Sequence, residues 1–208
     1  MTIHLHQGDL PDGLSFADAR DASVAVDSET LGLNPHRDRL CVVQLCAGDG
    51  DAHLVQLPKG QYAAPNLKAV LTDPSLTKIF HFARFDVAAF MRWLDVSTTP
   101  LYCTKIASKL VRTYTDRHGL KDVLRETVGV SLDKQQQSSD WGAAELTQAQ
   151  KEYAASDVLY LHDARRRLDE MLAREGRTAY ARACFDFLPT RARLDLAGWA
   201  ETDIFAHA

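Results

Sequence analysis

The chain has 208 residues, 46% of them hydrophobic and 25% charged, so it carries enough apolar material for one substantial core. This composition excludes an intrinsically disordered, collagen-like or coiled-coil protein. The net charge of -4 argues against a protein that holds long duplexes by neutralising many phosphates, although a short nucleic acid needs fewer cations. We expect one domain over residues 1–208.

The cysteines and the first residues bear on where the protein works. Cys41, Cys46, Cys103 and Cys184 form none of the closely spaced pairs of a zinc site or redox motif, and they are predicted to be buried, reduced thiols. The N-terminal residues lack the basic start and apolar run of a secretory signal, and no stretch is long enough to cross a bilayer. A cytoplasmic location is therefore expected.

The first half of the chain predicts strands, then an alternation of strands and helices. An apolar strand over 22–29 ends in acids, and two further strands joined by a Gly-Asp turn complete an antiparallel meander. The strands after the first are predicted at 39–46, 52–57 and 77–82, and the helices at 65–71 and 84–93.

The second half predicts mainly helices, at 104–111, 119–128 and 147 to about 175, with a Gln-rich break at 134–140 and Thr147 as an N-cap. Together with the meander, this order predicts an α/β fold in which helices pack on a mixed sheet of about five strands. The last stretch, 183–208, is too apolar for a free tail. We expect it to pack on the domain or on a neighbouring subunit.

Two carboxylates stand close together on the first predicted strand. Asp27 and Glu29 are two residues apart, so their side chains point to the same face of a sheet and repel each other. A cation relieves that repulsion, and hard oxygen ligands suit Mg²⁺ or Mn²⁺ better than zinc. The alternative is that one of the two faces solvent at the turn.

Three further residues are uninformative when each is considered alone. Asp86 falls in the first turn of a predicted helix, where acids are common. Tyr153 and Asp157 are four residues apart in a helical pattern and share one helix face. Singly, Tyr153 is more often a packing residue and Asp157 a solvated charge.

The order of these groups is more specific. The segments VAVDSETLGL, HFARFDVAAF and EYAASDVLYL resemble the three motifs of the 3′-5′ exonucleases that are named for their four acids, in the subclass marked by tyrosine. The segment HGLKDVLRETVGVSLDKQQQSSDW is typical of the ribonuclease D branch. Within that branch, DRLCVVQL and CFDFLPTRARLDL are most similar to the nano-ribonuclease C family. The resemblance covers nearly the whole chain and implies a ribonuclease H-like fold.

The resemblance also implies a reaction. Its substrates would be very short single-stranded RNAs, dinucleotides above all, hydrolysed from the 3′ end to nucleoside 5′-monophosphates with two divalent cations, Mg²⁺ or Mn²⁺. Asp27 would bridge both cations, Glu29 and Asp157 would complete one site, and Asp86 would support the other. Tyr153 would orient the attacking water. Trimming the 3′ ends of longer RNA or DNA is the alternative.

Substrate contacts are less well specified. By resemblance, Leu31 would wedge against a base, with turn packing as the alternative, and His81 and Phe85 would contact sugar or base, although Phe85 also reads as a core aromatic. A basic region and the polar loop 134–141 are candidates for the outer phosphate. The members of the basic region are Lys105, Lys109, Arg112, Arg117, His118 and Lys121. The resemblance further implies a homo-oligomer, an octamer in that family.

Overall fold

The computed structural model describes residues 2–132 and 138–207. Its centre is a six-stranded mixed sheet with the strand order β1-β4-β3-β2-β5-β6. The strands are β1 (Ile3–Gln7), β2 (Ser23–Thr30), β3 (Leu40–Cys46), β4 (Ala52–Gln56), β5 (Thr77–Phe80) and β6 (Leu101–Cys103). The helices are α1 (Pro65–Thr72), α2 (Ala83–Trp93), α3 (Thr104–Val111), α4 (Leu120–Val128), α5 (Gln148–Leu159), α6 (Leu161–Arg174) and α7 (Thr178–Leu194).

The sheet confirms the predicted α/β class and the antiparallel meander of β2, β3 and β4. β5 and β6 continue the sheet in parallel beside β2, and β1 pairs in parallel with β4 at the opposite edge. The sheet therefore has six strands in the described residues, against the total of about five that was predicted. Four of the six were located in the sequence. The sequence reading missed β1 and β6.

The middle of the sheet is covered on both faces. Every residue of β3 is buried, which explains its nearly continuous apolar sequence LCVVQLC. Helix α5 packs across β2, β3 and β4 on one face, with small side chains, Ala154 and Ala155, against the strands. Because strand side chains alternate between faces, the carboxyl end of β2 presents Asp27 and Glu29 on the face that α5 covers.

The long helix predicted from Thr147 is divided in two. Thr147 is the N-cap of α5, and a reciprocal capping box joins it to Gln150. Tyr160, with φ -108° and ψ 2°, interrupts the helix and separates α5 from α6. Asp157 therefore lies close to the end of α5, one turn after Tyr153.

The C-terminal segment packs mainly through α7, and after that helix Leu196 still packs against the core while Phe205 contacts Phe187. Helix α7 buries Phe185 and Leu188, whereas Trp199, Ile204 and Phe205 are exposed. The prediction of four buried thiols was wrong for Cys184, which is exposed on α7, while the other three cysteines are buried and free. In the described part of the chain, no helix has the length and apolar character needed to cross a membrane.

Candidate active site

Three carboxylates meet where β2 ends beneath α5. Asp27 and Glu29 come from β2 and Asp157 from α5, and one oxygen of each lies within 4.8 Å of the others. All three side chains are half-buried, and they are hard oxygen donors carrying like charge. A donor set of this kind fits Mg²⁺ or Mn²⁺ and does not fit the nitrogen and sulfur preferences of zinc.

A fourth acid is brought to the cluster by a hydrogen bond. Ser28 points to the opposite face from its neighbours on β2, and its hydroxyl donates to Asp86 Oδ1 on α2 at 2.6 Å. Asp86 is 2% exposed, so this bond fixes the orientation of an acid that has little access to bulk water. The side chain of Asp86 is close enough to raise the pKa of Asp27.

The acids strongly perturb one another. Burial, followed by the charges of Asp86, Asp157 and Glu29, raises the pKa of Asp27 well above its usual range. Burial and the charges of Asp157 and Asp86 raise the pKa of Glu29 to about 9. Burial raises the pKa of Asp86 to about 7, partly opposed by the Ser28 hydroxyl. The protein thus gathers negative charge that only a cation or bound protons can neutralise.

Tyr153 stands beside the acids on α5. Its hydroxyl shares a hydrogen bond with Asp157, and burial together with the nearby carboxylates raises its pKa above the usual value near 10. The phenol therefore stays protonated at neutral pH and acts as a donor. The ring packs against Trp141, with ring centroids 5.9 Å apart, which restricts its movement.

Three of the four acids line a cavity of about 520 Å³, and Asp86 is not part of its wall. Of the residues predicted for this site, the cavity wall includes Asp27, Glu29, Leu31, Phe85, Tyr153 and Asp157. Leu31 is 51% exposed at the rim, so its side chain is available to a ligand. Phe85 is half-buried and also lines the wall, which is compatible with both roles considered for it.

The other predicted contacts lie elsewhere. His81 is not part of this cavity wall, and its Nδ1 is 2.9 Å from Thr104 Oγ1, so its contact with substrate stays a prediction. Arg112 is 1% exposed and donates to Glu126. Its prediction as one of the basic residues available for the outer phosphate was therefore wrong. Residues 134–137 of the polar loop lie outside the described residues, whereas Ser138 and Ser139 line the cavity.

Several residues of the site were not found from the sequence. Trp141 lines the cavity although it is nearly buried, and Leu33 is an exposed second leucine on the rim. Arg39 is not part of the cavity lining, but it anchors the residue that follows Trp141 by donating to the Gly142 carbonyl at 3.2 Å, and it also donates to the Leu57 carbonyl at 2.9 Å. A run of aromatic and polar residues in a loop has no periodic signal, so only the fold reveals these contacts.

The site has the composition of a nuclease centre, and comparison with known proteins agrees. A family model described as 3′-5′ exonuclease matches residues 10–173. The chain belongs to the 3′-5′ exonuclease family. Ribonuclease D of Gluconacetobacter diazotrophicus is 34% identical over 158 residues, which are 76% of this exonuclease and 40% of that relative. The exonuclease thus spans well under half the length of the curated ribonuclease D proteins that it matches.

Solved structures extend the likeness to the full chain. Brucella melitensis NrnC bound to pGG is 58% identical and has a TM-score of 0.94, with all of both chains covered. Escherichia coli RNase D is 30% identical with a TM-score of 0.74, covering 83% of this exonuclease and 45% of that chain. These matches confirm the predicted resemblance to both groups, and the family match confirms the predicted enzyme class at the level of the 3′-5′ exonuclease family.

Proposed function

We propose that this exonuclease hydrolyses very short single-stranded RNA, dinucleotides above all, from the 3′ end to nucleoside 5′-monophosphates. The observation that carries the proposal is the meeting of Asp27, Glu29 and Asp157 oxygens within 4.8 Å beside Tyr153. Likeness over the full length to Brucella melitensis NrnC bound to pGG supports a dinucleotide as the substrate.

The acids would hold two divalent cations, Mg²⁺ or Mn²⁺. Asp27, Glu29 and Asp157 offer oxygens to a shared position, and Asp86, fixed by Ser28, supports a second position from α2. Likeness to Brucella melitensis NrnC with bound Mg²⁺, 57% identical, supports this assignment. Two bound cations stabilise the negative charge that develops on the attacking and leaving oxygens of a phosphodiester.

The remaining residues orient the reactants. The protonated Tyr153 hydroxyl directs the attacking water, because its raised pKa makes it a poor base. Leu31 contacts the terminal base from the rim, and Phe85 contacts base or sugar from the wall. Single-stranded substrates suit this arrangement, since only unstacked bases offer their faces to such side chains.

Trimming of longer RNA or DNA 3′ ends is the second candidate, favoured by the ribonuclease D relatives. Hydrolysis of 5′-labelled RNAs of two to about seven nucleotides with Mn²⁺ separates the two. We expect the dinucleotide to be cleaved much faster than every longer RNA, and Asp27→Ala to be inactive on all of them. Similar rates at every length would establish the second candidate.

We also propose a homo-oligomer, an octamer by resemblance to nano-ribonuclease C, working in the cytoplasm. The exposed Trp199, Ile204 and Phe205 support an interface at the C-terminal end, since apolar groups clustered on a surface favour association. The buried free thiols of Cys41 and Cys46 suit a reducing compartment. Light scattering tests the subunit number directly, and a monomeric mass would contradict the assembly.

A further inference from the structure

Gln44 lies at the centre of the sheet, next to the acid cluster. It is on β3, is 0% exposed, and stands directly opposite Asp27 on β2 and Leu54 on β4. Residues directly opposite each other on neighbouring strands point to the same face. The side chain of Gln44 therefore lies on the same face of the sheet as Asp27, under α5.

Neither end of this buried amide is paired. Within residues 2–132 and 138–207, Gln44 Nε2 and Oε1 have no hydrogen-bond partner. A buried amide without partners costs free energy, and an apolar side chain of the same size would avoid that cost. The arrangement opposes stability, which points to a role for Gln44 other than holding the fold together.

A second glutamine on the same face shows that the fold is able to satisfy such a group. Gln56 lies on β4 opposite Val42 and is nearly buried. Its Nε2 donates to Ala143 O at 2.9 Å, and its Oε1 accepts from Gln7 Nε2 at 2.9 Å. Gln56 thus has a structural role that Gln44 does not share.

The position of Gln44 makes the Asp27 carboxylate its natural acceptor. Opposed Cβ atoms on antiparallel strands are about 5 Å apart, so a rotation within the glutamine side chain brings Nε2 to a neighbouring carboxylate. The charges of Glu29, Asp86 and Asp157 surround Asp27 and raise its pKa. A hydrogen bond with the Ser28 backbone partly opposes that rise. A neutral donor from β3 would hold the Asp27 oxygens in a fixed direction.

We propose, on the basis of the cation-dependent function given above, that Gln44 is a positioning residue whose Nε2 turns to donate to Asp27 when the cations bind and orients that carboxylate toward them. Residues that support a metal ligand in this way typically change metal affinity on the order of 10- to 100-fold when they are removed. Gln44 touches neither the RNA nor the reacting phosphate in this proposal. Its action passes through Asp27 alone.

The test compares Gln44→Met and Gln44→Leu with the matched control Gln56→Met in the full chain. Melting temperature is measured in EDTA, and Mn²⁺ affinity is measured by calorimetry well below every melting temperature. We expect the Gln44 variants to melt in EDTA at or above the wild-type temperature while their Mn²⁺ dissociation constants rise on the order of 10- to 100-fold. Gln56→Met should do the reverse, with a lower melting temperature and wild-type affinity.

Two results would overturn the proposal. Wild-type Mn²⁺ affinity in Gln44→Met would show that the amide does not act on Asp27. Failure of both apolar variants to fold in EDTA, while Gln44→Asn folds, would show that Gln44 is structural. If the wild type itself binds no Mn²⁺, the proposed function fails and this inference fails with it. If the wild type binds Mn²⁺ and Gln44→Met binds it equally well, only this inference fails.

Discussion

Arg84 and Asp86 lie two positions apart on α2, and their charges are in opposite situations. Asp86 faces the acid cluster, where like charges meet and the pKa values of Asp86 and Glu29 are raised. Arg84 faces α7, where its Nε and Nη2 donate to both Asp195 oxygens at 2.6 and 2.8 Å. Arg191 donates to the same carboxylate. The paired charges of Arg84, Arg191 and Asp195 are structural, whereas the like charges gathered in the acid cluster mark a place for a ligand.

Replacing a member of the acid cluster should remove hydrolytic activity and leave the fold intact. Asp27→Asn keeps the size of the side chain and takes one charge from a group of four, so the cation-free protein should not lose stability. We expect hydrolysis of dinucleotide RNA to fall by more than about 100-fold, the upper range for groups that only support a metal ligand. Single-turnover kinetics at saturating Mg²⁺ measures this. Near wild-type activity would separate the acids from catalysis.

Tyr153→Phe should have a smaller effect than loss of an acid. The ring keeps its packing on Trp141, while the hydroxyl that orients the attacking water is lost. We expect kcat to fall by roughly 10- to 100-fold. A group that transfers a proton typically contributes about 10²–10⁴-fold to the rate, so a group that only orients the water should give a loss at or below the low end of that range. The same Mg²⁺ affinity as the wild type is the control. A loss as large as that of Asp27→Asn would make the tyrosine a direct participant in proton transfer.

The acid cluster also predicts how pH acts on cation binding. Without cations, the folded-state pKa is about 9 for Glu29 and about 7 for Asp86, both above the usual carboxyl values. A raised folded-state pKa means that stability is greatest at low pH and is lost as pH rises through 7 toward 9. Cations must displace the bound protons, so Mg²⁺ affinity should rise by about tenfold per pH unit for each proton released.

Melting temperatures measured from pH 6 to about 8.5, in EDTA and in Mg²⁺, test this dependence. The EDTA values should decline across the window, and the stabilisation by Mg²⁺ should grow. In Asp27→Asn, the decline should be shallower because one charge has left the cluster. A Mg²⁺ effect that is constant with pH would contradict the raised pKa values.

Breaking the paired cluster should do the opposite of breaking the acid cluster. Asp195→Ala leaves Arg84 and Arg191 without their shared acceptor, and it should lower the free energy of unfolding by about 1.5 kcal/mol. This value is at the low end for charged hydrogen bonds because the Arg84 side chain is about one third exposed, at 36%. Urea denaturation gives the change. Hydrolysis well below the midpoint should match the wild type, and a loss of kcat would link α7 to the site.

Leu31→Ala probes the rim of the cavity, where the smallest effect is expected. Its side chain is 51% exposed, so its removal should leave stability unchanged. Loss of the apolar contact with a base should raise KM for dinucleotide RNA by roughly fivefold, corresponding to about 1 kcal/mol, with kcat nearly constant. Leu33→Ala is the matched control on the neighbouring, more exposed leucine. Equal changes in both variants would show that Leu31 has no special contact.

The meander and most helices follow from local sequence, because their apolar periodicity and turns agree with the fold. β1 was missed because histidines occupy alternate positions of IHLHQ and hide a strand that pairs with β4. Helix α7 was missed because Pro189 normally ends a helix, yet Phe185 and Leu188 anchor this one on the domain. Nothing in the residues near Tyr160 signals the break before α6.

The site divides in the same way. Motif order predicts the four acids and Tyr153. The structure brings Asp27, Glu29 and Asp157 together with Tyr153 beside them, whereas Asp86 lies outside that group of three and their catalytic roles stay a prediction. The contacts that orient them, such as Ser28 with Asp86, join residues far apart in sequence. From the sequence alone, Gln44 is one polar residue within an apolar strand. Only the register between β2 and β3 places it opposite Asp27.

Calorimetric titration of Mg²⁺ into the wild type and Asp27→Asn, without RNA, tests most directly whether the unneutralised acids are a cation site. We expect saturable binding to the wild type, accompanied by release of protons, and binding at least about 10-fold weaker in the variant. Equal binding by the two proteins, or none by the wild type, would contradict this expectation.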